Sequence, residues 1–364
     1  MAQLKVGIIG CGGIAIGKHL PALAKNRDVE MVAFCDLILE RAEKAAAEYG
    51  TLDAKIYLDY KELLADKQID VVHVLTPNRE HSFMTIDALH AGKHVLCEKP
   101  MAKTYTEAKQ MLEAAKKTGK LLSIGYQARC SAASLYLKSA CEADELGEIY
   151  FAKAQAIRRR AVPTWGVFLN EEEQGGGPLI DIGTHALDLT LWLMDNYQPQ
   201  MVVGTAYKKL GNQRNTANLW GDWNPEKFTV EDSAFGFIKM QNGATIILES
   251  SWALNTLDVK EATCSLCGTK AGADMENGVR INGVKFNKQY VEEPNLKSGG
   301  VAFYGGDPYA APEELENRNF YDAILYGIEL RVKPEQALVV TRILEAIYES
   351  AKSGKAIYFD SPLE

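Results

Sequence analysis

Lys5-Val6-Gly7-Ile8-Ile9-Gly10-Cys11-Gly12-Gly13-Ile14-Ala15 is the stretch that decides the fold of this chain. An apolar run of strand character ends in a glycine-rich turn with the pattern G-x-G-x-x-A at Gly10, Gly12 and Ala15. Gly10 permits a tight turn, Gly12 lets backbone N–H groups approach a pyrophosphate, and the small Ala15 allows the next helix to pack closely on the strand. Gly13 and Ile14 complete the turn and are candidate nucleotide contacts with it. The turn opens a βαβ unit, and Asp36 follows at the end of the second apolar strand, at the spacing of about 20 residues that ribose recognition uses. Its carboxylate would accept hydrogen bonds from the ribose and repel a 2′-phosphate, which favours NAD over NADP. A methyltransferase also uses a glycine turn and an acidic second-strand end, so the choice of a nicotinamide rests on residues further along.

Working outward, short apolar runs alternate with helical patterns over residues 1–125, the form taken by repeated βαβ units and a parallel sheet. Strands are expected at Lys5 to Ile9, Glu30 to Cys35, Ile56 to Leu58, Val71 to Leu75, His94 to Cys97 and Leu121 to Ile124, with helices at Leu39 to Tyr49 and Thr104 to Thr118. Gly50, Gly92 and Gly119 are placed to close three helices. From residue 126 the rhythm changes. A helix near Ser131 to Cys141 and a strand from Glu148 to Ile157 precede a glycine- and glutamate-rich loop. Strand patterns follow at Gln200 to Leu210, Ser233 to Met240 and Ala244 to Trp252, the last two joined by the hairpin signal Gln241-Asn242-Gly243. Helices opened by Pro312 and Pro334 end the chain. The expected architecture is an N-terminal Rossmann domain over 1–125, then an α+β domain over 126–364 with a large, mostly antiparallel sheet. The late helices have the option of packing back on the first domain.

The 364 residues exceed what one hydrophobic core usually supports, and 47% apolar with 24% charged residues is an ordinary globular balance. The net charge of −8 leaves no broad footprint for nucleic acid or an anionic membrane. Seven cysteines, four of them in or beside apolar strands, read as reduced thiols in a cytoplasmic protein. Cys264 and Cys267 have C-x-x-C spacing but lack the second pair or the histidines of a structural zinc site, so no metal is expected. Met1-Ala2-Gln3-Leu4-Lys5 leads directly into a strand, which reads as neither signal peptide nor membrane span.

Hydride transfer from an alcohol needs a group that accepts the hydroxyl proton and a cation that stabilises the developing alkoxide. In His94-Val95-Leu96-Cys97-Glu98-Lys99-Pro100 a buried strand ends in two charges, and ligands of open α/β sheets bind beyond the carboxyl ends of strands. Lys99 is either that cation or a solvated charge at a strand end. In Gly175-Gly176-Gly177-Pro178-Leu179-Ile180-Asp181-Ile182-Gly183-Thr184-His185-Ala186-Leu187-Asp188, Asp181 and His185 bracket the start of a helix apolar on nearly every face. His185 would lie in its first turn, where the helix dipole keeps the imidazole neutral and basic. The other reading has Asp181 or Thr184 capping the helix and His185 buried as a core histidine.

Together the glycine turn, Asp36, Thr76-Pro77-Asn78 with His81, Glu98-Lys99-Pro100 and Asp181-x-Gly-x-His185 resemble the Gfo/Idh/MocA family of glucose–fructose oxidoreductase, inositol dehydrogenase and relatives, in order along the whole chain. The resemblance implies a Rossmann domain, then an α/β domain whose open sheet builds homodimers or homotetramers. It implies Lys99 beside the reacting carbon, His185 as general acid and base, and Asp181 orienting substrate or His185. It further implies Thr76, Pro77, Asn78, His81, Glu98 and Lys99 at the dinucleotide and a cis Lys99–Pro100 bond. The stretch Arg158 to Gly166 looks like members that oxidise sugar rings or glycosides, particularly at C3, with Arg158 and Trp165 as substrate contacts. Tyr126 and Arg129, after the last Rossmann strand, are further candidates. The expected activity is NAD-dependent hydride transfer at a secondary hydroxyl of a sugar, glycoside or cyclic polyol. A non-catalytic NAD-sensing regulator is disfavoured by the presence of both Lys99 and His185. A self-recycling sugar oxidoreductase with tightly held NAD is the third reading.

Overall fold

The computed structural model describes residues 3–214, 216–276, 278–296 and 310–359. It divides into two units, one of Met1–Gln127 with Ala310–Leu338, the other of Ala128–Tyr309 with Val339–Glu364.

The first unit opens with β1 (Leu4–Ile9), a π-helical turn (Ala15–His19) running into α1 (Leu20–Ala24), β2 (Val29–Cys35), α2 (Leu39–Tyr49), β3 (Lys55–Tyr57) and α3 (Tyr60–Ala65). It continues with β4 (Val71–Val74), α4 (Asn78–His90), β5 (His94–Cys97), α5 (Tyr105–Thr118) and β6 (Leu122–Ile124). All six strands are parallel, in the order β3-β2-β1-β4-β5-β6. The order reverses at β1 and β4, so the glycine turn after β1 and the loop after β4 lie at the topological switch point where such sheets bind dinucleotides. Thr104 and Glu107 form a reciprocal capping box at the start of α5, and Gly119 ends it in the left-handed conformation. Gly50, by contrast, closes α2 with an extended backbone. Its contribution is space, since a Cβ there would lie 2.7 Å from the Ala46 carbonyl oxygen.

In the second unit α6 (Ala132–Glu142), β7 (Ile149–Ile157) and α7 (Glu171–Gln174) precede a π-helical turn (Leu179–Gly183) continuous with α8 (Thr184–Met194). The strands β8 (Pro199–Tyr207), β9 (Ser233–Met240), β10 (Thr245–Ser251), β11 (Lys260–Gly268), β12 (Ala271–Asp274), β13 (Arg280–Lys285) and β14 (Lys288–Glu292) follow. After α9 (Pro312–Tyr326) and α10 (Pro334–Ser353), β15 (Ile357–Tyr358) completes a nine-stranded sheet ordered β14-β13-β12-β11-β7-β10-β9-β8-β15. Its pairings are antiparallel except β7 with β10. Side chains alternate across β8 and β9. Val202, Ile238 and Met240 are buried on the face where Ile347 of α10 packs over Gly204 and Gly236, whereas Val203, Tyr207 and Phe237 on the opposite face stay partly exposed.

Helix α9 belongs to the first unit because Phe320 and Tyr321 enter its core beside Val6, Ile8, Phe34 and Leu96. No helix among the described residues is long and apolar enough to cross a membrane.

Candidate active site

The glycine turn has the geometry that nucleotide binding requires. Gly10 has φ +93°, and a Cβ there would lie 2.7 Å from the Leu75 carbonyl oxygen, so no other residue fits without moving the adjoining strand end. A Cβ at Gly12 or Gly13 would meet only open space among the described residues. Neither is glycine because the chain crowds it. The openness fits a ligand approaching the backbone N–H groups, as NAD pyrophosphate does. Asp36 is half-buried and faces the turn, Oδ2 accepting from Cys11 N–H at 2.9 Å and Oδ1 from Ile38 N–H at 2.9 Å. Ile14 is exposed on the same turn.

Beyond β4, Thr76 and Asn78 are half-buried and Pro77 is exposed at the start of α4. His81 is buried one turn further, with Nδ1 2.8 Å from the Pro100 carbonyl and Nε2 2.9 Å from the Thr76 carbonyl. The ring thus ties the loop after β4 to the loop after β5, and burial lowers its basicity. The Lys99–Pro100 bond is cis, in agreement with the resemblance. Lys99 is half-buried and its backbone N–H donates to Glu98 Oε2 at 3.0 Å.

Glu98 itself is buried and belongs to a polar cluster that the sequence did not announce. Its Oε1 accepts from Lys18 Nζ at 2.6 Å and lies 2.8 Å from His19 Nε2. Lys18 also lies 3.2 Å from Glu316 of α9, and His73 meets the Tyr321 hydroxyl at 2.8 Å. Lys18 and the His19 contact hold the Glu98 carboxyl well below the usual range against the cost of burial. Burial pushes Glu316 up to about 7. One lysine therefore faces a carboxyl held well below its ordinary range and a second one pushed up to about 7. The cluster anchors the strand end that carries Lys99.

In the second unit the decisive observation is exposure. From Gly176 to Leu193 every residue is buried except Asp181 and His185. Spaced four apart, they share one face. Trp252, fully buried at the end of β10, donates its indole N–H to Asp181 Oδ2 at 3.0 Å and so fixes that carboxylate.

Two expectations about this helix are corrected. Neither Asp181 nor Thr184 caps it, because helical geometry already begins at Leu179 with a π turn. His185 therefore lies well past the first turn, where the dipole effect has faded, and helix position does not account for its basicity. The cap comes from a distant residue. Glu231, buried just before β9, accepts from Gly177 N–H at 2.8 Å and Leu179 N–H at 3.1 Å, and from the Tyr348 hydroxyl of α10 at 2.9 Å. Burial pushes its carboxyl up to about 7 although all three donors pull it down. The glycines make room for this: a Cβ at Gly176 would lie 2.0 Å from the Tyr348 hydroxyl, and one at Gly177 2.2 Å from the Glu231 carbonyl oxygen.

The remaining candidates divide. Tyr126 and Arg129 are fully buried. Arg129 grips Asp188 of α8 with Nε at 2.8 Å and a terminal nitrogen at 2.5 Å, a buried pair that braces this helix. Removing either partner would leave a buried charge at a cost of about 3–5 kcal/mol. Arg158 bonds Glu261 and lies 5.5 Å from the Trp220 ring centroid. Trp165 is exposed.

Comparison with known proteins adds to this geometry. Residues 4–126 match the model of the GFO_IDH_MocA oxidoreductase family's NAD-binding Rossmann fold, and residues 138–359 match that of its C-terminal alpha/beta domain. The chain is 41% identical to D-glucoside 3-dehydrogenase of Escherichia coli K12 over 362 residues, covering 98% of this chain and 97% of that protein. It is 32% identical to inositol 2-dehydrogenase of Salmonella typhimurium over 194 residues, 53% of this chain and 55% of the other. Aldose-aldose oxidoreductase from Caulobacter crescentus shares the fold, with a TM-score of 0.79 at 24% identity, covering 98% of this chain and all of the other.

Proposed function

The chain belongs to the Gfo/Idh/MocA oxidoreductase family, and from that premise we propose that it oxidises a secondary hydroxyl of a glucoside or related sugar, at C3, with NAD. The observation that carries this reading is the near full-length 41% identity to a D-glucoside 3-dehydrogenase. The half-exposed pair Asp181 and His185 on an otherwise buried helix supports it.

NAD, when bound, supplies the hydride acceptor, and Gly12, Gly13 and Asp36 are the residues that fit its pyrophosphate and ribose. His185 takes the proton of the substrate hydroxyl. The Lys99 ammonium stabilises the alkoxide that develops as the carbonyl forms. Asp181, fixed by the Trp252 indole, orients the substrate or His185. The partly exposed Val203, Tyr207 and Phe237 on the open face of the second sheet suit burial against a second copy of the chain, in a homodimer or homotetramer.

The test is a screen of glucosides, free sugars and inositols with NAD, following NADH absorbance and locating the new carbonyl in the product. A 3-keto glucoside is the expected product. Turnover of inositols alone, or oxidation at another carbon, would overturn the assignment.

A further inference from the structure

Two loops of the second unit present tryptophans that stay largely exposed, although Arg158 lies over the Trp220 ring. Trp165 and Trp220 meet edge to face at 4.9 Å between centroids, yet remain 51% and 40% exposed, and their neighbour Leu219 is 71% exposed. Trp223, three residues away, shows how this region treats a structural tryptophan: it is 5% exposed, packs on Phe228, and donates its indole N–H to the Gly211 carbonyl. Hydrogen bonds that do not involve the exposed rings join the two loops. Val162 N–H donates to Asn218 Oδ1 at 2.8 Å, Asn218 Nδ2 to the Val162 carbonyl at 3.0 Å, and the Thr164 hydroxyl to the Trp220 carbonyl at 2.7 Å. A chain of ring contacts links the exposed rings to Asp181 through the buried Trp252. Trp165 packs on Phe168 at 5.9 Å, Phe168 on Trp252 at 6.4 Å, and Trp252 holds Asp181.

Contiguous exposed aromatic surface on hydrogen-bonded loops marks a binding surface, and indole faces suit the flat apolar face of a ring. Resting on the glucoside reading above, we propose that Trp165 and Trp220 form a ledge that holds a ring-bearing aglycone, beyond the sugar ring that Asp181 orients. The ledge makes the enzyme selective for glycosides whose second group is a ring, over methyl glycosides and free sugar.

Calorimetric titration of the full chain with saturating NADH tests this, using phenyl glucosides, methyl glucosides and the glucose disaccharides cellobiose and maltose, the monoglucosides in both anomeric forms. A ring-bearing ligand should bind about tenfold more tightly than the methyl glucoside, and Trp220→Ala should erase that advantage while leaving methyl glucoside affinity within about twofold. The Thr164 bond goes to the Trp220 backbone and survives the substitution, and Trp165→Leu gives an independent second variant. Whether phenyl or disaccharide shows the advantage tells an aryl group from a second sugar. Equal affinities in the wild type, or an advantage that survives in both variants, would overturn the ledge. A separate NADH assay keeps the two readings apart: a ring advantage without turnover of any glucoside refutes the dehydrogenase reading and leaves the ledge, whereas turnover without the advantage does the reverse.

Discussion

Each unit contains a glycine-rich run that enters a helix through a π turn, and the two runs use glycine for opposite reasons. In the first, Gly12 and Gly13 face open space among the described residues, so the helix start is open to an anion from outside the chain. In the second, Gly176 and Gly177 are pressed against Tyr348 and Glu231, and the helix start is already satisfied by the chain's own carboxylate. Similar sequence thus leaves an open helix start in one place and builds a sealed structural cap in the other. What the second helix offers to chemistry is its one exposed face, Asp181 and His185.

The largest effect expected on this contrast is at Lys99, in the unit whose helix start is open. Lys99→Met keeps the aliphatic stem and removes the cation, and should lower turnover by about two to four powers of ten while NAD affinity, measured by titration, stays near wild type. A comparable loss of NAD affinity would make Lys99 a cofactor anchor instead. Next comes the glycine pair. Gly12→Ala should leave the melting temperature unchanged and weaken NAD binding about tenfold or more. Gly177→Ala should do the opposite, costing about 1–3 kcal/mol of stability through overpacking, with NAD affinity preserved. Matching phenotypes for the two would erase the contrast.

The smallest effect is a pH dependence at the sealed cap. The folded Glu231 carboxyl titrates near 7, above its ordinary value in the unfolded chain, so the folded state binds the extra proton. The stability this contributes is fully present below the ordinary carboxyl range and is lost as pH rises through about 7. Glu231→Gln removes that loss, while Glu316 in the other unit keeps its own. Melting temperature in the variant should therefore decline less steeply between pH 5 and 8 than in the wild type, by a few degrees at about 2–4 °C per kcal/mol. An unchanged slope would show that Glu231 stays ionised throughout.

What the sequence made legible is local. Glycine spacing, the strand carrying Asp36, the proline-opened helices and the Gln241-Asn242-Gly243 hairpin are encoded by neighbouring residues, and their elements appear within a residue or a few of the expected bounds. Asp181 and His185 are legible as a pair because they lie four apart at the start of an apolar helix and match the family motif. Their supports were not legible, since Glu231, Trp252 and Tyr348 come from elements far along the chain and no local pattern links them to Gly177 or Asp181. Its place after the last Rossmann strand makes Arg129 a substrate-contact candidate in the sequence. Its buried partner Asp188 is visible only in three dimensions. The allegiance of α9 to the first unit is carried by Phe320 and Tyr321, which look like any other apolar pair until the core is built.

The proposed hydride transfer depends most directly on His185 as the proton acceptor. Stopped-flow measurement of NADH formation in His185→Ala, with saturating glucoside and an independent NAD titration on folded protein, isolates that step. Hydride transfer should slow by about two to four powers of ten with NAD affinity unchanged, and the acid limb of the pH–rate profile should flatten. Transfer near the wild-type rate in a folded variant would contradict it.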